Sequence, residues 1–126
     1  MASLEQTARR LAADQTQHYR VAPHNIEAEQ ALLGAILVNN EAFYRVSDFL
    51  EPIHFFEPIH QKVYQIARDL IRAGKIATPI TLKTFLDGNV DIGGLSLSQY
   101  LARLAAEATT IINAEYYGHT IYDLSI

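Results

Sequence analysis

Residues 58–74 constrain the fold more than any other stretch, because their apolar side chains recur with the period of an α-helix. The repeat follows positions i, i+4, i+7, i+8, i+11 and i+12, which are Ile59, Val63, Ile66, Ala67, Leu70 and Ile71. This spacing predicts a helix with one apolar face, which other elements must cover. Pro58 suits the first helical position, where its missing N–H costs nothing, and Gly74 suits the C-terminal stop.

The other segments also read as short helices with tight connections. The first predicted helix begins at the N-cap Asn25, and the second runs from Glu41 to Leu50. A short helix begins near Thr81 and ends at Gly88. A further helix begins at Ser96, with Gln99 as its capping-box partner, and the last runs from Ala114 toward Leu124 with Asn113 as its cap. No segment alternates convincingly with the period of two that a strand requires. The prediction is an all-α fold, a compact bundle of about six short helices with crossed packing.

The domain organisation is simple. Residues 1–22 are polar and mixed in charge, and we expect a flexible N-terminal arm. Residues 23–126 are predicted to form one helical domain. Within it, residues 89–94 read as a loop, with Gly93-Gly94 as its most flexible point.

Composition excludes several function classes. A net charge of −4 gives the chain no general attraction to nucleic acid, whose binding is dominated by phosphate neutralisation. No apolar run approaches the ~20 residues of a membrane helix, and no signal peptide is recognisable. The absence of cysteine fits a reducing compartment without proving one. We expect a cytoplasmic protein with no membrane partner.

The sequence offers no catalytic motif. None of its six glycines belongs to a GxxxxGK[ST] phosphate loop, and GxGxxG and GxSxG are absent. Glu27 and Glu29, two residues apart, point in different directions on a helix. A metal site would have to combine His54 and His60 with a third ligand such as Glu57, and no metal-binding spacing supports it. We therefore predict no catalytic residue, no cofactor and no metal site in this chain.

Two residues of the first helix are unusual. Glu29 falls on the apolar stripe of Leu32, Leu33 and Ile36, so it either lies at the rim or is partly buried and bonded to a backbone N–H or a tyrosine. Gly34 lies in mid-helix, where glycine costs ~1 kcal/mol relative to alanine. We expect another helix or loop to approach closely there.

The predicted last helix is rich in aromatic side chains that cannot all share one direction. Tyrosine is a typical interface anchor, although a place at the edge of the core would also accommodate it. The candidate interface residues are Tyr116, Tyr117, Ile121 and Tyr122.

The block from Pro23 to Leu37, PHNIEAEQALLGAIL, closely resembles the opening of the DnaB family of bacterial replicative helicases. The resemblance continues in order through NEAF at residues 40–43, VSDFL at 46–50, FF at 55–56, PIH at 58–60, IGG at 92–94 and TIINA at 110–114. The spacer at residues 95–98 is longer than the family pattern. The resemblance and the local signals together select Asn25, Glu29, Gly34, Phe55, Phe56 and Pro58 as residues critical for the fold.

The resemblance implies functions that periodicity does not. It implies an N-terminal collar domain that pairs within a hexameric ring, as a dimer when isolated, and helps recruit the primase DnaG. The parent helicase would bind ATP and Mg²⁺ and hold single-stranded DNA through a motor domain that this sequence does not contain. Two alternatives are a helix-turn-helix DNA-binding module, disfavoured by the acidic charge, and a small enzyme with an unrecognised site.

Overall fold

The computed structural model describes residues 23–86 and 92–126. These residues form six α-helices and one 3₁₀ turn. In chain order they are α1 (Ile26–Val38), α2 (Glu41–Tyr44), the 3₁₀ turn (Pro52–His54), α3 (Pro58–Arg72), α4 (Pro79–Lys83), α5 (Leu97–Ala106) and α6 (Ile111–Ser125). The predicted all-α bundle of about six short helices is confirmed. The predicted arm at residues 1–22 and residues 87–91, which include the first three residues of the predicted loop 89–94, lie outside the described residues.

Helix α1 is the centre of the bundle. Every residue from Leu32 to Leu37 is buried, so this part of the helix is covered on all sides rather than along one stripe. It contacts α2, α3, α5 and α6. The Asn25 side chain caps it as predicted, accepting a 3.0 Å hydrogen bond from the Ala28 N–H.

Helix α3 has the predicted apolar face and the predicted ends. Pro58 is its first residue, and Gly74 follows its C-cap with a φ of 76°. The Gly74 N–H donates to the Ile71 carbonyl and the Lys75 N–H to the Leu70 carbonyl, at 3.0 and 2.8 Å. This is a Schellman motif, in which the residue at the Gly74 position must be left-handed.

Four predicted boundaries were wrong, and one of them is the end of α4, which lies at Lys83 instead of Gly88. The second helix ends at Tyr44 instead of Leu50, and the chain continues in turns that bring Val46 into the core. Thr78 caps α4, because Pro79 occupies the first helical position and Thr81 is the return partner of the capping box. Thr110 caps α6, accepting from the N–H of Asn113, the residue predicted to be the cap.

The Gly93-Gly94 pair forms a tight turn where the sequence suggested the most flexible point of a loop. Ile92 and Leu95 exchange two backbone hydrogen bonds of 3.0 Å, the one isolated β-bridge in the described ranges. The φ angles of Gly93 and Gly94 are 57° and 85°. A two-residue turn of this kind requires positive φ at both positions, which explains two adjacent glycines. The predicted Ser96–Gln99 capping box then opens α5.

None of the helices in residues 23–86 and 92–126 is long and apolar enough to cross a membrane.

Candidate functional site

Glu29 lies inside the domain, with 2% of its surface exposed. Its Oε2 accepts a 2.8 Å hydrogen bond from the Phe56 N–H, and its Oε1 a 3.4 Å bond from the Glu57 N–H. These two N–H groups precede Pro58 at the start of α3, where the helix dipole favours a negative charge. Of the two placements left open by the sequence, rim or buried and bonded to a backbone N–H, the second is therefore correct.

His60 extends this contact into a buried chain of hydrogen bonds. The ring is fully buried, its Nδ1 lies 2.8 Å from Glu29 Oε1, and its Nε2 lies 2.5 Å from the Tyr100 hydroxyl. The Gln30 amide donates to the same hydroxyl at 3.3 Å. With Nδ1 protonated, the ring donates to the carboxylate and accepts from the phenol, so one neutral tautomer satisfies every partner. Three elements, α1, α3 and α5, are joined by these side chains.

A carboxylate, an imidazole and a hydroxyl in this order resemble the components of a hydrolytic triad. Burial is the largest influence and raises the pKa of the Tyr100 hydroxyl. The Gln30 hydrogen bond lowers this pKa by less, and the charges of Glu57, Glu29 and Glu107 raise it further. A hydroxyl with a raised pKa is a poor source of a nucleophilic oxygen. We therefore assign the network a structural role.

The sequence signalled this network only in part. Glu29 stood out because it interrupts an apolar stripe, whereas His60 and Tyr100 were not recognised as its partners. His60 precedes Val63 and Tyr64 by three and four residues and so lies on the buried face of α3. That spacing was the available signal.

The close approach predicted at Gly34 is present. A Cβ added there would clash with the backbone carbonyl oxygen of Leu104 and come within 3.1 Å of the Ala108 Cα. A second contact of this kind was missed: at Gly118 on α6, an added Cβ would overlap the side chain of Val46 and approach Phe49 to 3.3 Å. Glycine thus allows α1 to meet α5, and α6 to meet the segment after α2.

The remaining residues predicted to be critical for the fold surround the start of α3. Phe55 is buried, with its ring 5.0 Å from that of Tyr64. Phe56 is partly buried and stacks on His24 at 3.8 Å. These contacts are consistent with the predicted importance of this segment for folding, which stays a prediction.

The metal ligands considered from the sequence are not brought together. His60 is engaged by Glu29 and Tyr100, and His54 Nδ1 accepts a 2.9 Å hydrogen bond from the Glu51 N–H. Across the part of the chain that the structure describes, no three His, Cys, Asp or Glu side chains form a group suited to a metal ion.

The candidate interface residues of α6 divide into three environments. Tyr116 is 69% exposed. Tyr117 and Tyr122 are partly buried, and the Tyr122 ring packs edge-on against Phe49 and His54. Ile121 is only 2% exposed, so its selection as an interface residue was wrong, because its position on the helix faces the core.

Ile112 is the residue on this surface that the sequence reasoning missed. It is 77% exposed and lies one helical turn before Tyr116. The two side chains therefore share one outer face of α6.

Comparison with known proteins agrees with these features. Residues 21–123 match the family model described as the DnaB-like helicase N terminal domain. The chain belongs to the DnaB family. It is similar to the replicative DNA helicase DnaB of Rickettsia typhi, with 50% identity over 107 residues, and to the replicative DNA helicase DnaC of Bacillus subtilis, with 37% over 111 residues.

The match covers 85% of this chain in both cases, but only 22% and 24% of those two helicases. Among solved structures, the N-terminal domain of DnaB helicase from Mycobacterium tuberculosis is similar at a TM-score of 0.73 and 33% identity, over 82% of this chain and 74% of that one. The chain is thus a DnaB-family N-terminal domain with the fold of that family, and it spans under a quarter of the length of these curated relatives.

Proposed function

We propose that this chain is the self-association and primase-docking domain of a replicative DNA helicase, and that it has no ATPase activity by itself. Its membership of the DnaB family supports the first part. The observation that carries the proposal is the exposure of Ile112 and Tyr116 on the outer face of α6. An aliphatic and an aromatic side chain, adjacent on one helix and open to solvent, are typical of a surface that a partner covers.

The proposed assembly is a dimer for this domain and a hexameric ring for the whole helicase. Most soluble homo-oligomers have closed point-group symmetry, and two-fold dimers are the commonest. In the ring, the domain would lie beside the motor and hold neighbouring subunits together. Docking of the primase DnaG to the assembled domain follows from the family resemblance.

ATP and Mg²⁺ belong to the proposal for the whole helicase and not to these residues. The sequence has no phosphate loop, and the described residues have no cluster of metal ligands. The residues present therefore do not fit the nucleotide, and no step of ATP hydrolysis is assigned to them. Single-stranded DNA is likewise proposed as a partner of the motor, because the domain carries a net charge of −4. The proposed location is the cytoplasm.

Two measurements on the purified chain test this function. Titration calorimetry with the primase of the same organism should give saturable binding, and an ATPase assay should give no activity above buffer. Absence of primase binding by an associated form of the chain would contradict the docking role. Salt-dependent binding of duplex DNA at physiological salt would favour the DNA-binding alternative instead.

A further inference from the structure

An apolar groove, which we call the α3–α4 groove, lies between α3 and the turn that follows α4. Its volume is about 280 Å³, and it is lined by Ile66, Leu70, Ala73 and Phe85, with Asp69 and Lys75 at its polar margin. Phe85 is 58% exposed. The volume lies just below the ~300–1,000 Å³ of small-molecule pockets, so the groove suits a few side chains of a docked helix better than a free ligand.

The part of the groove that residues 70–86 contribute is basic in an otherwise acidic chain. Residues 70–86 contain Arg72, Lys75 and Lys83 and no Asp or Glu. Arg72 lies over the ring of Phe43, at 5.8 Å, and so faces α2. Lys75 and Lys83 are exposed, and the ion pairs within residues 23–86 and 92–126 involve neither of them. Two lysines are thus available to an acidic partner, while Asp69 is paired with Arg68 at 3.2 Å.

Helix α6 has the complementary character. Residues 111–125 contain no Lys or Arg. Ile112 and Tyr116 provide apolar anchors at positions i and i+4, and the acidic side chains of Glu115 and Asp123 are exposed on the same helix. This combination suits a groove with apolar walls, Lys75 at its margin and Lys83 two residues before Phe85.

The two surfaces belong to different elements, so one molecule can use both at once. Helix α6 packs on α1, α2 and the 3₁₀ turn of its own chain, whereas the groove is formed by α3, Lys75 and Phe85. In a pair of copies, each α6 can therefore dock in the groove of the other copy, and the two equivalent contacts close a two-fold dimer.

We propose that α6 of one copy of this chain docks in the α3–α4 groove of a second copy. Tyr116 and Ile112 enter the groove, and the acidic side chains of Glu115 and Asp123 face Lys75 and Lys83. The inference rests on the proposed self-association and specifies which surfaces make it.

Charge reversal tests the pairing directly. The groove variant Lys75→Glu/Lys83→Glu and the helix variant Glu115→Lys/Asp123→Lys should each weaken self-association about tenfold or more, as for contacts that anchor an interface. An equimolar mixture of the two variants should associate again, because each supplies the complement of the other. The variant Arg45→Glu/Lys62→Glu, with the same change in net charge as the groove variant, should associate like the unaltered chain.

Sedimentation velocity and circular dichroism of each sample give the readout. The proposal is supported if each variant is folded and self-associates weakly alone, and if the mixture of the two variants associates again. If the groove variant associates normally while Tyr116→Ser does not, α6 uses another surface, and the inference fails while the proposed self-association stands. If the unaltered chain is itself monomeric, the proposed self-association fails and the inference fails with it.

Discussion

The Nδ1 atom of His60 lies 2.8 Å from the carboxylate of Glu29, and both side chains are buried. Since the carboxylate also accepts from two backbone N–H groups before α3, this pair fixes the start of α3 against α1. The Tyr100 hydroxyl completes the link to α5. A buried pair of this kind stabilises only as a complete set, because removing one member leaves the other without compensation.

Replacing His60 with Leu should lower the free energy of unfolding by about 3–5 kcal/mol, the usual cost of breaking a buried pair. Glu29→Gln should cost about 1–3 kcal/mol, as charge-assisted hydrogen bonds are lost. Urea unfolding measures both. The exposed control Glu41→Gln, outside the proposed interface, should stay within about 0.5 kcal/mol. Strictly additive effects in the double variant would show that the two side chains do not act as a pair.

The two close-packed glycines should differ in their tolerance of a methyl group. Gly34→Ala places the Cβ against the backbone of Leu104, and we expect a loss of about 1–3 kcal/mol despite alanine's better helix propensity. At Gly118 the Cβ would meet the Val46 side chain, which can move, so Gly118→Ala should cost less. Thermal unfolding of both variants decides the order. Equal or higher stability of Gly34→Ala would rule out the close approach.

Stability should fall at alkaline pH through two buried phenols. Burial, chiefly, raises the pKa of Tyr64 well above its ordinary value of 10.0, and burial also raises that of Tyr100. When the pKa of a group is higher in the folded than in the unfolded protein, its contribution to stability is fully present below the unfolded-state pKa. That contribution is lost as the pH rises toward the folded-state pKa. Above about pH 10, Tyr64 alone should contribute a slope of roughly 1.4 kcal/mol per pH unit. Urea titrations from about pH 9 to 11 should show this slope, and Tyr64→Phe should reduce it. An unchanged slope in that variant would show that Tyr64 is not its source.

Tyr116 and Tyr122 should respond differently to replacement by Ser. Tyr116 is largely exposed, so its loss should weaken self-association and leave the melting temperature nearly unchanged. Tyr122 packs on Phe49 and His54, so its loss should lower the melting temperature. Sedimentation and thermal unfolding of the two variants separate the roles. If Tyr122→Ser dissociates the protein without changing its melting temperature, the assignment of these two residues is reversed.

Local signals in the sequence predicted the helices better than the contacts between them. Some signals act only on neighbouring residues and could therefore be predicted from the sequence alone. They include Pro58, Gly74 and the Ser96–Gln99 pair. Asn40 shows the limit. Its amide bridges the Ile36 carbonyl and both backbone groups of Ala77, 37 residues away, and no local pattern indicates that partner.

The sequence predicted only that the candidate interface lies on the last helix, α6. Tyrosines around α6 indicated a contact helix, but which of them face outward depends on where Gly118 lets α6 approach Val46. That packing puts Ile121 in the core and leaves Ile112 with Tyr116 outside. The α3–α4 groove could not be predicted either, since it needs the relative placement of two helices.

Sedimentation equilibrium of this chain across a dilution series at micromolar concentrations tests whether the domain assembles through α6. We expect an average mass above the 14.1 kDa of one chain, falling toward that value on dilution, and a Tyr116→Ser variant that stays near 14.1 kDa throughout. A mass of 14.1 kDa for the unaltered chain at every concentration would contradict the claim that this domain assembles through α6.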